Sequence, residues 1–459
     1  MNVRRLISLA LVVFDAVALL LLFNLFAYLR GVYWWPDYQL WALLPPWLFL
    51  FASLALIDGY SPRTDLLSLD YTSQHLIAVF AAMLATLLLT FVVFPNELPL
   101  QNSRGVIVLS MLFLIPLTLW PRRWVRIHYH ARQKEHTLIF IGDEKSCLLF
   151  AEECAHHKVT QPIVLCPPSS MDRSLFAAIS LRVRQASMDE MMEELSSDRL
   201  VAEAVILRET AQSVPSRHIP QLMNMYVDGV PIFTLERFHQ VYWQTIPLYR
   251  LNQIWLFQEG FLIARDPVFE RIKQIIDIIL SALGLVLASP LLLASAIAIK
   301  LEDGGPVFFR QTRIGKGHRR FMIVKLRTMR AAAPGDALYT QQKDARVTRV
   351  GRFLRASRLD EFPQLWNVLR GDMSMIGPRA EWDRLVSDYE KQIPCYHFRH
   401  IVKPGITGWA QINYPYGANL NDTLRKLEYD LYYIRYFSFR LDAAIVLKTI
   451  HVMLFGRGQ

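Results

Sequence analysis

Two adjacent carboxylates, Asp360 and Glu361, lie in a strongly basic stretch of the sequence. Three arginines precede them within eight residues: Arg352, Arg355 and Arg358. Neighbouring carboxylates repel each other unless cations compensate, and such a pair can hold a hard divalent cation. One carboxylate could attack phosphorus while the other holds the metal. The alternative is a helix start, with Asp360 as the cap and Pro363 just inside; the two are compatible because a helix N-terminus attracts phosphate.

Three further cations could bind phosphate groups. Lys325 and Arg327 are two residues apart, so on a strand both would lie on one face, as a basic wall or as an ordinary solvated face. Arg379 follows a stiff Gly-Pro turn, which suits bidentate phosphate binding; a surface arginine is the alternative. The segment KPGITGWAQI (403–412) predicts a tight loop, packed as a structural turn for most of its length.

Charge and motif content narrow the class of protein. Residues 301–459 carry 26 Lys and Arg against 15 Asp and Glu, so the whole net charge of +10 lies there. Such an excess suits anionic partners such as phospholipid head groups or phosphorylated substrates. No nucleic-acid fold signature accompanies it, so no nucleic-acid partner is expected. A P-loop, a GxSxG elbow, a HExxH helix and a dinucleotide-binding turn are all missing.

The part of the chain that precedes these residues begins with apolar segments. Four apolar runs, at 6–29, 40–57, 76–94 and 106–120, are each about long enough to cross a hydrocarbon core of ~30 Å. Basic residues at Arg4, Arg5 and Arg63 and a cluster after the fourth run favour a cytoplasmic N-terminus and a cytoplasmic soluble remainder. Asp15, inside the first run, is either a functional polar site or a helix–helix hydrogen-bond partner.

A fifth apolar run, at 275–299, has basic residues on both flanks, so both of its ends are expected in the cytoplasm. Ser289 and Pro290 lie inside it, and a proline there should kink the helix. These features predict a re-entrant membrane helix over 268–300; the alternative is a kinked fifth span.

Residues 136–250 read as a soluble domain in which short apolar strands alternate with helices, which predicts a parallel sheet. The turn at Gly142 lacks the GxGxxG pattern, because Asp143 and Glu144 follow where a pyrophosphate would need bare N–H groups. A structural or oligomerisation module is therefore the default, and it is the candidate surface for a homodimer. The four cysteines form no metal-binding spacing and read as reduced thiols.

The last third of the chain resembles the bacterial sugar transferase family of monotopic phosphoglycosyl transferases. The matching motifs are GPVFFRQTRIG, KLRTM, RLDEFPQLWNVLRGDMSMIGPR and KPGITGWAQIN. The upstream part resembles the long members of this family. The resemblance implies a four-helix transmembrane bundle at 1–125, a degenerate Rossmann-like α/β domain at 136–250, the re-entrant helix, and an α/β catalytic domain at 301–459.

The resemblance also implies an activity and roles for residues. Asp360 would attack the β-phosphorus of a UDP-hexose, glucose or galactose, releasing UMP, and undecaprenyl phosphate would then accept the hexose-1-phosphate. Glu361 would bind Mg²⁺, and four cations would contact phosphate or nucleotide: Lys325, Arg327, Arg358 and Arg379. Ser289 and Pro290 match the kink of the family's re-entrant helix. Ala380 departs from the family pattern, in which a second proline commonly follows the arginine.

The expected protein is therefore a multi-pass enzyme of the bacterial inner membrane. Its catalytic domain would lie on the cytoplasmic face, in contact with inner-membrane lipids. It would start exopolysaccharide, capsule or O-antigen synthesis. Two alternatives stay open: a non-catalytic scaffold of a polysaccharide assembly complex, and a lipid-linked glycosyltransferase that releases UDP. A further expectation is one interfacial helix over 431–454, where aromatic and basic residues mix.

Overall fold

The computed structural model describes residues 3–31, 43–61, 64, 66, 69–93, 104–132, 136–168, 182–197, 199–208, 214–248, 267–330, 344, 346–414 and 419–455. The chain divides into two compact units, residues 1–244 and 245–459. Each unit is described by itself.

Four apolar helices open the first unit: α1 (Val3–Leu29), α2 (Leu44–Leu56), α3 (Leu69–Leu88) and α4 (Arg104–Arg132). A π-helical turn, Leu89–Val93, extends α3. Helix α4 packs against α1 and α3, and α3 packs against α2, so the four form a bundle. Three of the predicted spans are confirmed as long enough and apolar enough to cross a membrane, at Leu6–Leu29, Tyr71–Val92 and Arg104–Val125.

The predicted second span, 40–57, is longer than the helix the structure shows. Helix α2 has 13 residues, which is about 20 Å against the ~30 Å of a hydrocarbon core. It begins at Leu44 because Pro45 and Pro46 fill its first turn, the part of a helix that tolerates proline. Residues 40–42 lie outside the described part of the chain.

A buried ion pair joins the first and fourth helices of this bundle. Arg122 donates from both terminal nitrogens to Asp15, at 2.9 and 2.5 Å, and Tyr60 donates to the same carboxylate at 2.7 Å. Arg122 also donates to the carbonyl of Thr118 at 2.8 Å. Asp15 therefore serves as a helix–helix partner, the structural one of its two predicted roles.

The rest of the first unit is the predicted α/β domain. Its strands are β1 (His136–Ile141), β2 (Ile163–Cys166), β3 (Val183–Gln185), β4 (Val201–Leu207) and β5 (Ile232–Thr234). Its helices are α5 (Glu144–His156), α6 (Met188–Ser196), α7 (Ile219–Val227) and α8 (Leu235–Phe238). The strands pair in parallel in the order β3-β2-β1-β4-β5, the order of a doubly wound sheet. The parallel-sheet prediction is confirmed.

The turn after β1 carries its own anion. Asp143 forms an ion pair with Arg208 at the end of β4 and accepts a hydrogen bond from Ser146 in the first turn of α5. A carboxylate thus stands where a dinucleotide-binding fold places a pyrophosphate. Burial raises the pKa of Cys147 and Cys166 to about 12, and all four cysteines are free thiols, as expected.

Among the described residues of the second unit, the first helix is α9 (Pro267–Asp303), a continuous helix of 37 residues that contains Pro290. One face packs on the unit: Lys273 forms an ion pair with Asp442 at 2.5 Å, and Asp277 accepts from the Met375 amide at 3.1 Å. The opposite face is apolar and exposed, as at Leu287, which is 77% exposed. The helix is long and apolar enough to cross a membrane; its re-entrant course and the kink at Ser289 and Pro290 stay predictions.

Short elements follow around one core. An antiparallel hairpin joins β6 (Phe308–Ile314) to β7 (Arg320–Leu326), and β8 (Ser374–Ile376) pairs in parallel with β9 (Gly405–Thr407). The helices are α10 (Arg349–Ala356), α11 (Gln364–Leu369), α12 (Asp383–Gln392), α13 (Trp409–Asn413), α14 (Leu420–Arg435) and α15 (Phe439–Phe455). Tyr396, Tyr433 and Ile445 are buried at the centre of the core.

The predicted single helix over 431–454 is wrong. Helix α14 ends at Arg435 and α15 begins at Phe439. Ser438 starts the second helix, because its hydroxyl accepts from the Leu441 amide at 3.3 Å and its carbonyl from the Asp442 amide at 3.0 Å.

Candidate active site

A tight turn presents the carboxylate pair. Helix α10 ends at Ala356, and Arg358 then adopts a left-handed conformation with φ 57°. A 3₁₀ turn, Leu359–Glu361, follows and carries both carboxylates. Helix α11 starts only at Gln364, with Pro363 in the capping position, so the interpretation of Asp360 as the helix cap is wrong.

Two cations hold Glu361. Lys325 donates to its Oε1 at 2.7 Å and Arg379 at 3.3 Å, and both side chains of the Lys325–Glu361 pair are only 14% exposed. Burial acts to raise the pKa of Glu361, but attraction to Arg379 and Lys325 outweighs it and holds the pKa at about 2. For Lys325, burial and repulsion by Arg379 lower the pKa despite Glu361. The cluster therefore stabilises the charged form of Glu361 more than the charged form of Lys325. Glu361 is ionised at neutral pH.

Asp360 has a different environment on the same turn. Burial raises its pKa, repulsion by Glu361 raises it further, and Lys325 and Arg355 oppose the change. Among the described residues, no other residue donates a hydrogen bond to its carboxylate. The two neighbours therefore divide their roles: Glu361 is held in place as an anion, and Asp360 keeps free oxygen lone pairs with increased basicity.

An amide side chain fixes the lysine relative to this turn. Asn367, buried on α11, accepts from the Val324 amide at 3.1 Å and donates to the Met322 carbonyl at 2.7 Å. It thus fastens strand β7 to the helix that follows the carboxylates. Because side chains alternate along a strand, Lys325 points away from the face of Met322 and Val324.

Close backbone packing places Arg379. The Gly377 amide donates to the Thr407 carbonyl, and the Gly405 amide donates to the Pro378 carbonyl, each at 2.9 Å. A Cβ on Gly377 would lie 2.4 Å from the Lys403 carbonyl oxygen, and one on Gly405 would lie 2.0 Å from the Gly377 nitrogen. These glycines are therefore required, and the KPGITG segment is the packed turn that was predicted.

The other predicted site residues lie differently. Arg327 does not contact the carboxylate pair. It forms a bidentate ion pair with Asp303 at the end of α9 and donates to the Pro306 carbonyl at 2.6 Å. Arg358 lies near enough to contribute to the lowered pKa of Glu361. Ser289 lies on α9, where its hydroxyl donates to the Val286 carbonyl at 2.7 Å.

The carboxylates fit the predicted Mg²⁺. Both ion pairs of Glu361 use Oε1, so among the described residues its Oε2 accepts no hydrogen bond. Mg²⁺ is bound in proteins by one or two carboxylates together with water and substrate phosphates. A separate group in the part of the chain that the structure describes, His318, Glu390 and His400, brings three ligand atoms within 4.8 Å. Its two imidazoles suit zinc rather than Mg²⁺.

Sequence reasoning missed two residues of this site. Asn367 reads as an ordinary polar position in an amphipathic helix, and no local signal marks its contact with β7. Gln364 is 3% exposed, its Nε2 has no hydrogen-bond partner among the described residues, and it lines a small cavity with Lys325 and Arg379. A glutamine three residues after a carboxylate pair is the signal that could have marked it.

Comparison with known proteins shows which family the chain resembles. Residues 268–456 match the family model for bacterial sugar transferases. A UDP-N-acetylgalactosamine-undecaprenyl-phosphate N-acetylgalactosaminephosphotransferase of Aeromonas hydrophila is 44% identical over 59% of this chain and 60% of its own. UDP-glucose:undecaprenyl-phosphate glucose-1-phosphate transferases of Xanthomonas campestris pv. campestris and Caulobacter vibrioides are each 45% identical over 40% of this chain, covering 39% and 69% of theirs.

The protein belongs to the bacterial sugar transferase family. With its long apolar helices it is a membrane protein of that family. The alignments span 60% and 39% of the first two of these relatives.

Proposed function

We propose that the protein transfers a hexose-1-phosphate from a UDP-hexose to undecaprenyl phosphate and releases UMP. The observation that carries this is the division of roles on the 359–361 turn, where a fixed anion stands beside a carboxylate with free oxygens and a raised pKa. The names of the relatives, sugar-1-phosphate transferases that act on undecaprenyl phosphate, support the same reaction.

In the proposed mechanism, an Asp360 carboxylate oxygen attacks the β-phosphorus of the donor. The bond from that phosphorus to the bridging oxygen breaks, UMP leaves with the bond electrons, and a phosphosugar remains on Asp360. A phosphate oxygen of the lipid then attacks the same phosphorus and displaces the Asp360 carboxylate. Each half-step exchanges one phosphorus–oxygen bond for another, so no oxidant or further co-reactant is needed.

The surrounding residues stabilise charge in both half-steps. Lys325 and Arg379 converge on the turn, where they can contact donor phosphates, and Arg358 adds a third positive charge. Glu361 would hold Mg²⁺ through Oε2, and the bound ion would neutralise phosphate oxygens. Gln364 has a buried N–H₂ group without a partner among the described residues, and it lines the small cavity next to Lys325 and Arg379, the two cations expected to contact the donor. Arg327, engaged by Asp303, is assigned instead to holding the hairpin against α9.

The location follows from charge. The second unit carries the basic excess of the chain, and its long apolar helix has basic flanks. We place this unit at the cytoplasmic face of the bacterial inner membrane, where nucleotide sugars and the anionic leaflet meet.

The test is the nucleotide released by detergent-solubilised protein with undecaprenyl phosphate, Mg²⁺ and a donor panel of UDP-glucose, UDP-galactose and UDP-N-acetylgalactosamine. We expect UMP, lost with Asp360→Asn and with EDTA, and restored by added Mg²⁺. Release of UDP would identify a glycosyltransferase and overturn the covalent mechanism. Absence of product with every donor would favour the scaffold alternative.

A further inference from the structure

An apolar groove lies on the far side of the hairpin from the carboxylates. Its volume is about 510 Å³, within the range of ligand sites. Leu285 and Leu292 of α9 form one wall, Met322 and Val324 of β7 form another, and Trp366 of α11 closes one side. We refer to it as the hairpin groove.

Strand β7 separates this groove from the catalytic side. Met322, Val324 and Leu326 line the groove, whereas Ile323 and Lys325 line the small cavity beside the carboxylates. Successive side chains of a strand point to opposite faces, so the two sites lie on the two faces of one strand. A molecule in the groove would therefore lie next to the reacting groups without filling the donor site.

The rim of the groove is cationic. Arg310 lines the groove and is exposed, and among the described residues it forms no ion pair or hydrogen bond. Arg370, also on the rim, is paired with Asp372 at 3.5 Å. An apolar trough with an uncompensated cation at its edge suits a molecule that has a long hydrocarbon chain and an anionic head.

The groove also continues into the surface that faces lipid. Leu285 is partly covered, but the neighbouring Val286 and Leu287 are 71% and 77% exposed on the apolar face of α9. A chain dissolved in the bilayer could therefore enter sideways without crossing water.

We propose that the hairpin groove holds the polyprenyl chain of the acceptor lipid and that Arg310 contacts its phosphate. This inference rests on the proposed function and names the part of the molecule that binds the second substrate. It places the donor on one face of β7 and the acceptor chain on the other, with the lipid phosphate reaching the Asp360 phosphosugar at the edge of the hairpin.

The first test needs no turnover. The full chain is reconstituted in vesicles of phosphatidylethanolamine and phosphatidylglycerol with a polyprenyl phosphate that carries a diazirine in its chain. After irradiation we expect labelled peptides from 285–292 and 322–326, with labelling suppressed by unlabelled undecaprenyl phosphate. Labelling of other segments, or equal suppression by added phosphatidylglycerol, would mean that the groove holds bulk lipid or nothing, and would overturn the proposal.

The second test fills the groove. Leu285→Trp should raise the KM for undecaprenyl phosphate about tenfold or more, whereas Leu287→Trp, the same change on the lipid-facing side, should leave it unchanged. Both variants should release UMP without acceptor at the wild-type rate. An unchanged KM in Leu285→Trp, or equal effects in the two variants, would refute the groove assignment.

Arg310→Gln provides a variant that does not alter packing. Loss of one charge-assisted contact should again raise the acceptor KM about tenfold, with the donor KM unchanged; an unchanged acceptor KM would remove Arg310 from the site. If wild-type protein releases no UMP from any donor, the proposed function fails, and the photolabelling still decides whether the groove binds the lipid.

Discussion

Replacing Lys325 by methionine tests how the site is held together and what it does. The change removes the ammonium group and keeps most of the hydrocarbon stem. Its partner Glu361 lies at 2.7 Å, and both side chains are 14% exposed, so the pair is well shielded from water. Breaking a buried ion pair costs about 3–5 kcal/mol. Glu361 keeps Arg379 at 3.3 Å, and burial lowers the pKa of Lys325, so we expect the low end, about 3 kcal/mol.

A matched control lies two residues along the chain. Arg327 forms an ion pair with Asp303, in which the side chains are 13% and 18% exposed, but it does not contact the carboxylate turn. Arg327→Met should destabilise the protein less than Lys325→Met, because Asp303 lies at the surface and water screens an exposed ion pair. At about 2–4 °C per kcal/mol, Lys325→Met should melt about 6–12 °C below wild type, and Arg327→Met should lose less.

Activity should separate the two variants. Lys325 contacts the anion of the carboxylate turn, so if the turn acts as proposed Lys325→Met should slow acceptor-free UMP release about 10²-fold, the usual effect of losing one electrostatic stabiliser. Arg327→Met should slow it less than about tenfold. The assay is quenched-flow UMP release from UDP-hexose at a temperature where both variants are folded. Equal losses would refute the reasoning and restore Arg327 as a phosphate ligand.

Three further outcomes are expected. Asn367→Leu should lower the free energy of unfolding by about 2–4 kcal/mol, because the Val324 amide and the Met322 carbonyl lose their partner inside the protein; a loss below about 1 kcal/mol in denaturant titration would contradict this. Gln364→Leu should leave stability unchanged or raised, since its Nε2 is already buried without a partner, yet raise the donor KM about tenfold; a fall in melting temperature would contradict the placement. Acceptor-free UMP release should decline as pH falls, because Asp360 must be ionised to attack. Burial and the neighbouring carboxylate raise the pKa of Asp360, so the midpoint of the decline should lie above 3.8. A midpoint at or below 3.8 in the pH–rate profile would contradict this prediction.

Part of the site could be predicted from the sequence. The sequence predicts that nearby cations compensate the adjacent carboxylates, and the structure shows Lys325 and Arg379 doing so at Glu361. Lys325 follows from period-two alternation, but Arg327 does not, because β7 ends at Leu326 and the alternation ends with it. The role of Asn367 could not be predicted, because it depends on a contact with a residue 43 positions away along the chain.

The fold, like the site, could be predicted from the sequence only in part. The parallel sheet of the central domain follows from alternating apolar strands, but β3 could not be predicted because its three residues carry no usable pattern. The second span was overestimated because hydropathy alone ignores Pro45 and Pro46. The break before α15 was missed because long apolar stretches outweighed one serine, although Ser438 is a good capping residue.

The ion pair between Asp15 and Arg122 has a consequence for how the protein is made. Its partners are 107 residues apart, so at ribosomal speeds of 5–20 residues per second the carboxylate emerges about 5–20 s before the guanidinium that neutralises it. During that interval the unpaired Asp15 makes the insertion free energy of the first helix about 3 kcal/mol less favourable. Substitution of Arg122 should appear first as degraded or misinserted chains in the cell, rather than as a slow enzyme.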